Sequence, residues 1–181
     1  CIRDSKLRVG VHARFSDDAT TTRSYVGLVG IHRFRAYVYN VGIDVYGSVY
    51  NRFDPRMKVL QLTPTFGFNF GTYYTTGSFF AETKSFLIKL SDDVGLGKKR
   101  FNSMQQSLLY AYKDLTLTGF VWWGEQVFAV RKDGFVVYNL LERHMGGQGG
   151  SLRILLNRST ALKIVVSNER FEELGGTGGA K

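Results

Sequence analysis

The sequence predicts an α+β fold, in which a mixed or mostly antiparallel sheet is combined with one or two helices in the C-terminal half. Aromatic residues make up 14% of the chain and there are only two prolines, a composition that favours strands. Several N-terminal segments alternate between apolar and polar residues, whereas one C-terminal segment has helical spacing. The order of strands, helix, hairpin, strand and helix is typical of one α+β domain over residues 1–174, followed by a flexible Gly-rich tail over 175–181.

Alternating segments predict the strands of the N-terminal half. They are 6–15, 25–50, 59–74 and 78–90. The second segment also permits a helix over 25–39, which Gly27 and Gly30 disfavour, and its strands are expected to break near Gly42 or Gly47. Polar residues predict loops at 16–23 and 92–100, and Pro55 predicts a turn.

The strongest helical pattern begins after residue 102. Asn102 or Ser103 provides an N-cap, and apolar residues then recur at helical spacing. They are Met104, Leu108, Tyr112 and Leu115.

A hairpin and a closing helix are predicted after that first helix. Asp133-Gly134 provides a tight turn between strands over 119–130 and 135–141. Residues 146–150 are predicted as a loop and 152–156 as a short strand. Asn157 or Ser159 would then cap a final helix that ends near Leu174.

The net charge of +9 favours acidic partners, such as nucleic acid, an anionic membrane or an acidic protein surface. Two sets of residues are candidate contacts for such a partner. The first is Arg33, Arg35, Tyr37 and Tyr39, on one face of a strand, where cations would grip phosphates and rings would stack on bases. The second is the dense run Lys98, Lys99 and Arg100. In the alternative interpretation of the first set, the two tyrosines face the core and the two arginines lie at a solvent-exposed strand end.

The sequence argues against several chemistries. A single cysteine excludes internal disulfides and zinc sites built on paired cysteines. His12, His32 and His144 are far apart in sequence, so neither a metal nor a cofactor is predicted. No run of about 18 apolar residues predicts a transmembrane helix. No set of residues has the spacing of a catalytic site.

Cys1 leaves three interpretations open. It would be the acylated first residue of a bacterial lipoprotein, the nucleophile of a hydrolase that uses its own α-amino group as base, or the start of a fragment of a longer precursor. A further alternative rests on residues 66–74, where aromatic residues alternate with Gly, Asn and Thr. This pattern occurs in the strands of membrane-spanning closed sheets and also in sheets with one face on a soluble core.

From Ser103 to residue 174, the order of elements resembles the papain-like deubiquitinase domain of herpesvirus tegument proteins. That family has a helix, a hairpin whose second strand carries Phe-Asp-Ser-His, a glycine-containing loop, a strand and a closing helix. Here the corresponding second strand carries Tyr138-Asn139-Leu140-Leu141. The catalytic Asp and His would be replaced by Asn139 and Leu141, so the resemblance implies an inactive domain that is kept for binding.

The leading functional prediction is therefore a non-catalytic structural or assembly protein. It would belong to a virus particle or another large complex and would bind acidic protein or nucleic acid through a basic, aromatic-rich surface. The alternatives are a bacterial lipoprotein anchored through Cys1 and a cysteine hydrolase with an N-terminal nucleophile. A virion or intracellular complex is the favoured location, with the bacterial envelope as the alternative.

Overall fold

The computed structural model describes residues 6–17, 23–35, 38–50, 56–71, 77–93, 95–131, 136–137, 142–157 and 160–173. Cys1, Tyr37, the Asp133-Gly134 turn and the predicted tail lie outside these residues, as do residues 51–55 of the predicted turn. Within the described part the fold is all-β and contains no helix, so the predicted α+β class is wrong. The strands are β1 (Lys6–Asp17), β2 (Arg23–Arg35), β3 (Tyr39–Tyr50), β4 (Met57–Phe70), β5 (Ser78–Leu90), β6 (Arg100–Tyr112), β7 (Leu115–Gln126), β8 (Val130–Arg131), β9 (Val136–Val137), β10 (Glu142–Leu155) and β11 (Ala161–Glu173).

Nine of these strands form one antiparallel sheet, in the order β1-β2-β3-β4-β5-β6-β7-β10-β11. Each strand pairs with its neighbours along the chain, except that the small β8-β9 pair is inserted between β7 and β10. Because neighbours alternate in direction and there are nine strands, β1 and β11 run in the same direction.

The predicted helix after residue 102 is wrong, because this segment is strand β6. Side chains four residues apart lie on one face of a helix. Because four is an even number, they also lie on one face of a strand. Met104 and Leu108 share an exposed face in this way. The proposed caps Asn102 and Ser103 lie inside the strand, which pairs with β5 and β7.

The final predicted helix is also wrong, because its residues form strand β11, which pairs with β10 along its length. The predicted glycine loop over 146–150 is likewise part of β10. Strand β10 has a β-bulge, seen as a register shift between His144 and Gly146. Gly146 has a φ of 151° at this bulge. A positive φ of this kind favours glycine.

The connections differ between the two ends of the sheet. The short-turn end carries the connections 36–38, 71–77, 113–114 and 156–160, and the long-loop end carries 18–22, 51–56, 91–99 and 127–141. The longest connection contains β8 and β9. The predicted pairing across residues 133–134 is confirmed for two residue pairs, because Val130 and Arg131 pair with Val137 and Val136. The strand predicted over 119–130 is interrupted, since β7 ends at Gln126 and β8 begins at Val130.

The buried apolar core lies near the long-loop end. Residues 127–130 pack there against side chains from β3 to β6 and from the loop at Leu96. The cluster comprises Tyr50, Met57, Val59, Ile88, Leu90, Leu96, Phe101, Val127, Phe128 and Ala129. The ring of Phe128 lies 4.8 Å from the ring of Tyr50, measured between centroids. The connection between β7 and β10 is thus part of the core.

Candidate functional site

The two faces of strand β4 show an inverted pattern of burial. Leu60, Phe66 and Phe68 are 46%, 55% and 47% exposed, whereas Gln61 and Thr65 are 1% and 3% exposed. In a water-soluble sheet the apolar side chains would face the core and the polar ones would face the solvent. We call the side that carries Leu60 and Phe66 the outer face, and the side that carries Gln61 and Thr65 the inner face.

The outer face is apolar over most of the sheet. Its rows follow the strand register, as in the series Val9, Ile31 and Ile43, which lie opposite one another on β1, β2 and β3. Its exposed apolar residues include Leu7, Val9, Val11, Val29, Ile31, Val41, Ile43, Leu60, Phe66, Phe68, Phe70, Leu87, Met104, Leu108, Leu117, Val121 and Trp123. An apolar surface that extends over seven neighbouring strands, β1 to β7, is far larger than the patches of soluble monomers.

Charged residues of the outer face lie near the strand ends. Lys89 and Arg100 are paired neighbours near the long-loop end, and Arg33 lies near the short-turn end. Residues 60–70 of β4 contain no charged residue. At about 3.4 Å per residue, a strand tilted by about 40° crosses about 25 Å over this segment, which is the height of the apolar band on membrane-spanning strands.

A continuous row of aromatic rings lies on the outer face near the short-turn end. The centroid of Phe68 lies 5.9 Å from that of Phe66 and 6.0 Å from that of Phe70. The row continues from Phe70 to Phe79 at 5.4 Å and from Phe79 to Tyr110 at 4.7 Å. Aromatic side chains concentrate at such positions where an apolar surface meets a polar boundary.

The inner face carries a network of polar and charged side chains. His32 Nε2 lies 2.9 Å from Asp44 Oδ1, and its Nδ1 lies 3.2 Å from Asn40 Oδ1. Asn40 Nδ2 donates to Glu82 Oε2 at 2.8 Å, and Lys84 Nζ lies 3.4 Å from Glu82 Oε1. The network therefore connects β2 and β3 with β5.

Gly67 lies on β4 between Asn40 and Glu82 in the strand register, so the Asn40–Glu82 hydrogen bond crosses a strand at a position without a side chain. A Cβ atom at Gly67 would lie 2.7 Å from the ring of Phe80, so this ring would have to move to admit one.

The inner face is closed by apolar contacts towards the long-loop end, where one buried polar side chain holds residues 127–130. Gln61 Nε2 donates to the carbonyl oxygen of Val130 at 2.7 Å, and Val130 N–H donates to Gln61 Oε1 at 2.8 Å. Burial raises the pKa of the neighbouring Tyr50 well above its usual value, so this side chain stays neutral. We call residues 127–130 the plug segment.

The two predicted contact sets lie at opposite ends of the sheet. Arg33 is exposed on β2, and Arg35 pairs with Tyr39 of β3 in the register. At the other end, Lys98 forms an ion pair with Glu125 and lies 5.2 Å from the centroid of Phe101. The structure therefore does not bring the two sets together.

The basic run is partly neutralised by neighbouring carboxylates. Lys99 Nζ lies 3.4 Å from Asp92 Oδ1, in addition to the Lys98 pair with Glu125. Arg100 begins strand β6 beside Lys89. Two of the three cations thus already have anionic partners.

The described residues contain no group of three or more His, Cys, Asp and Glu side chains that could hold a metal ion. They also contain no helix that could cross a membrane.

The sequence predicts the alternation on β4 but leaves open whether its apolar set faces lipid or a soluble core. It does not predict that the apolar face continues over the neighbouring strands. A signal was present in the other set, because Gln61, Thr63 and Thr65 are uncharged and suit a buried position better than charged residues do.

No protein-family model matches the chain, and neither a curated protein nor a solved structure is significantly similar to it.

Proposed function

We propose that this chain is the strand-bearing part of a membrane-embedded protein of the outer-membrane type. Its outer face would contact lipid hydrocarbon, and its polar inner face would line an aqueous cavity or passage. The observation that carries the proposal is the inverted burial of β4, with exposed Leu60, Phe66 and Phe68 and buried Gln61 and Thr65.

Hydrocarbon explains the outer face better than water does. Each apolar side chain removed from water contributes about 1.5–3 kcal/mol when it is fully buried, and the exposed set on this face is large. The nine strands of the large sheet contain 12 to 14 residues, whereas about 9–11 tilted residues suffice to cross a bilayer. The charged residues near the strand ends and the aromatic row from Phe66 to Tyr110 fit the two boundaries of such a layer.

The asymmetry of the connections supports the same proposal. Membrane-spanning sheets have short turns on one side of the membrane and longer loops on the other. The connections at the short-turn end contain 3, 7, 2 and 5 residues and those at the long-loop end 5, 6, 9 and 15, so the difference rests on 91–99 and 127–141.

A sheet in hydrocarbon must pair its two edge strands, because unpaired backbone groups are costly there. The edges of this sheet are β1 and β11, which run in the same direction. If β1 paired directly with β11, the pairing would therefore be parallel. An entirely antiparallel closed sheet requires at least one additional strand between them.

The structure gives less support to a basic surface that binds acidic protein or nucleic acid. The two predicted contact sets are separated, and Lys98 and Lys99 have anionic partners. A non-catalytic role remains part of the proposal, as does the bacterial envelope as the location.

Spin labels on the two faces of the sheet test the proposal. Cys1→Ser gives a background without cysteine, since Cys1 is the only one. Single cysteines at the exposed outer positions 60, 66 and 68, and at the half-buried inner positions 105, 107 and 118, are then labelled in protein reconstituted into vesicles. We expect the first set to collide with molecular oxygen, which concentrates in hydrocarbon, and the second with a water-soluble nickel complex. Equal access of the nickel complex to both sets would contradict the proposal.

A further inference from the structure

A row of polar side chains crosses the apolar outer face. In the strand register Thr83 lies opposite Gln106, and Gln148 lies opposite Asn168. Val121, the one apolar member of the row, lies between Gln106 and Gln148. The row lies close to the middle of strands β5, β6, β7, β10 and β11. If the outer face contacts lipid, as proposed above, these amides lie near the centre of the bilayer, where a polar group is least tolerated.

The amides of this row are only partly satisfied. Thr83 Oγ1 donates to Gln106 Oε1 at 2.6 Å. Gln148 and Asn168 are exposed, and within the described part of the chain their side chains form no hydrogen bond. Each amide has both donors and an acceptor left for a molecule outside this chain.

A groove lies directly beside the row. It has a volume of about 580 Å³ and is lined by Leu108, Val121 and Val166 in addition to the amides of Gln106, Gln148 and Asn168. Gly119 and Gly150 lie opposite each other and form its floor. Gly119 does not have a positive φ, and a Cβ atom there would meet no other atom within 4 Å. Neither the backbone conformation nor the packing of this chain therefore requires glycine at position 119.

We propose that a second copy of this chain docks on this groove within the membrane. A lipid chain has no donors or acceptors for Gln148 and Asn168, whereas an amide-bearing protein surface has both. A two-fold axis through the groove brings the same row of the partner copy opposite this one, so that amides pair with amides in an isologous interface. The glycine floor allows the two backbones to approach closely, as small residues do between membrane helices.

The association is tested in vesicles with dye-labelled Cys1, by counting labels per particle while the protein is diluted with lipid. We expect dimers that dissociate on dilution. Gln148→Leu and Gly119→Leu should each weaken the dimer by about tenfold or more, because the first removes the amide and the second fills the groove. The matched control is Gly47→Leu. Gly47 is also exposed on the outer face with open space around it, but it lies outside the groove, so this variant should associate like the wild type.

Two results would overturn the inference. One is a chain that gives the expected spin-label pattern on the two faces of the sheet but stays monomeric at every dilution, which would leave the proposed function intact. The other is equal association of the wild type, Gly119→Leu and Gln148→Leu. A chain that fails to insert at all would overturn both proposals.

Discussion

Trp122 and Trp123 are neighbours in strand β7, yet they face opposite sides of the sheet. Trp122 is 1% exposed and Trp123 is 49% exposed. The indole of Trp122 occupies the space beside Gly147, where a Cβ atom would lie 2.6 Å from its Nε1. These residues are the only two tryptophans in the chain, so each face of the sheet carries its own natural fluorophore.

Gln61→Leu is expected to release the plug segment. The substitution removes both hydrogen bonds to Val130 and leaves its buried N–H and carbonyl groups unsatisfied, at a cost of about 1–3 kcal/mol for each group. Hydrogen exchange measured by mass spectrometry should become faster at residues 127–130. Gln105→Leu is the control, because Gln105 lies on the inner face of β6 away from this segment, and it should leave the exchange unchanged. Equal protection of the plug segment in both variants would contradict the claim that Gln61 holds it in place.

Ile43→Arg is expected to destabilise the sheet in a bilayer. Ile43 is exposed on the outer face near the middle of β3, and an arginine at the bilayer centre costs about 2–4 kcal/mol on such a surface. Thr118→Arg, on the inner face of β7, should cost less than about 1 kcal/mol, because its charge remains in water. The measurement is denaturant unfolding in vesicles. If the two variants lose the same stability, the outer face does not contact hydrocarbon.

Tyr50→Phe is expected to protect the protein against alkali. Burial raises the pKa of Tyr50 above the value of about 10 that it has in the unfolded chain, so the folded state retains the proton longer. The stability that this neutral side chain contributes is complete below pH 10 and is lost as the pH rises further, by about 1.4 kcal/mol per pH unit. The free energy of unfolding in micelles should therefore fall less for Tyr50→Phe than for the wild type between pH 9 and pH 11. Parallel curves would show that Tyr50 is not protected from ionisation.

Most strands of the N-terminal half could be predicted from their alternation, although residues 25–39 also permit a helix. The alternation of Leu7, Val9 and Val11 predicts β1, and that of residues 59–70 predicts most of β4. The periodicity does not say which face is buried. That choice depends on the medium outside the sheet, because a surrounding apolar medium reverses the usual arrangement.

The two segments whose spacing predicts helices form β6 and β11, and on β6 the apolar residues recur at even spacings on both faces. On β6, Met104 and Leu108 lie on the outer face, while Phe101 and Ala111 are buried on the inner face. Apolar residues on both faces hide the period of two, and the four-residue spacing then suggests a helix. The inner contacts that require Phe101 come from the plug segment, which is distant in sequence and could not be located by pattern.

The most direct measurement uses the paired tryptophans of β7. Single-tryptophan variants Trp122→Phe and Trp123→Phe are reconstituted into vesicles whose lipid chains carry bromine, a contact quencher of indole fluorescence. We expect strong quenching when Trp123 is the remaining tryptophan and little quenching when Trp122 remains. Equal quenching of the two variants, or quenching of Trp123 by aqueous iodide in place of bromolipid, would contradict the claim that the outer face of this sheet lies in hydrocarbon.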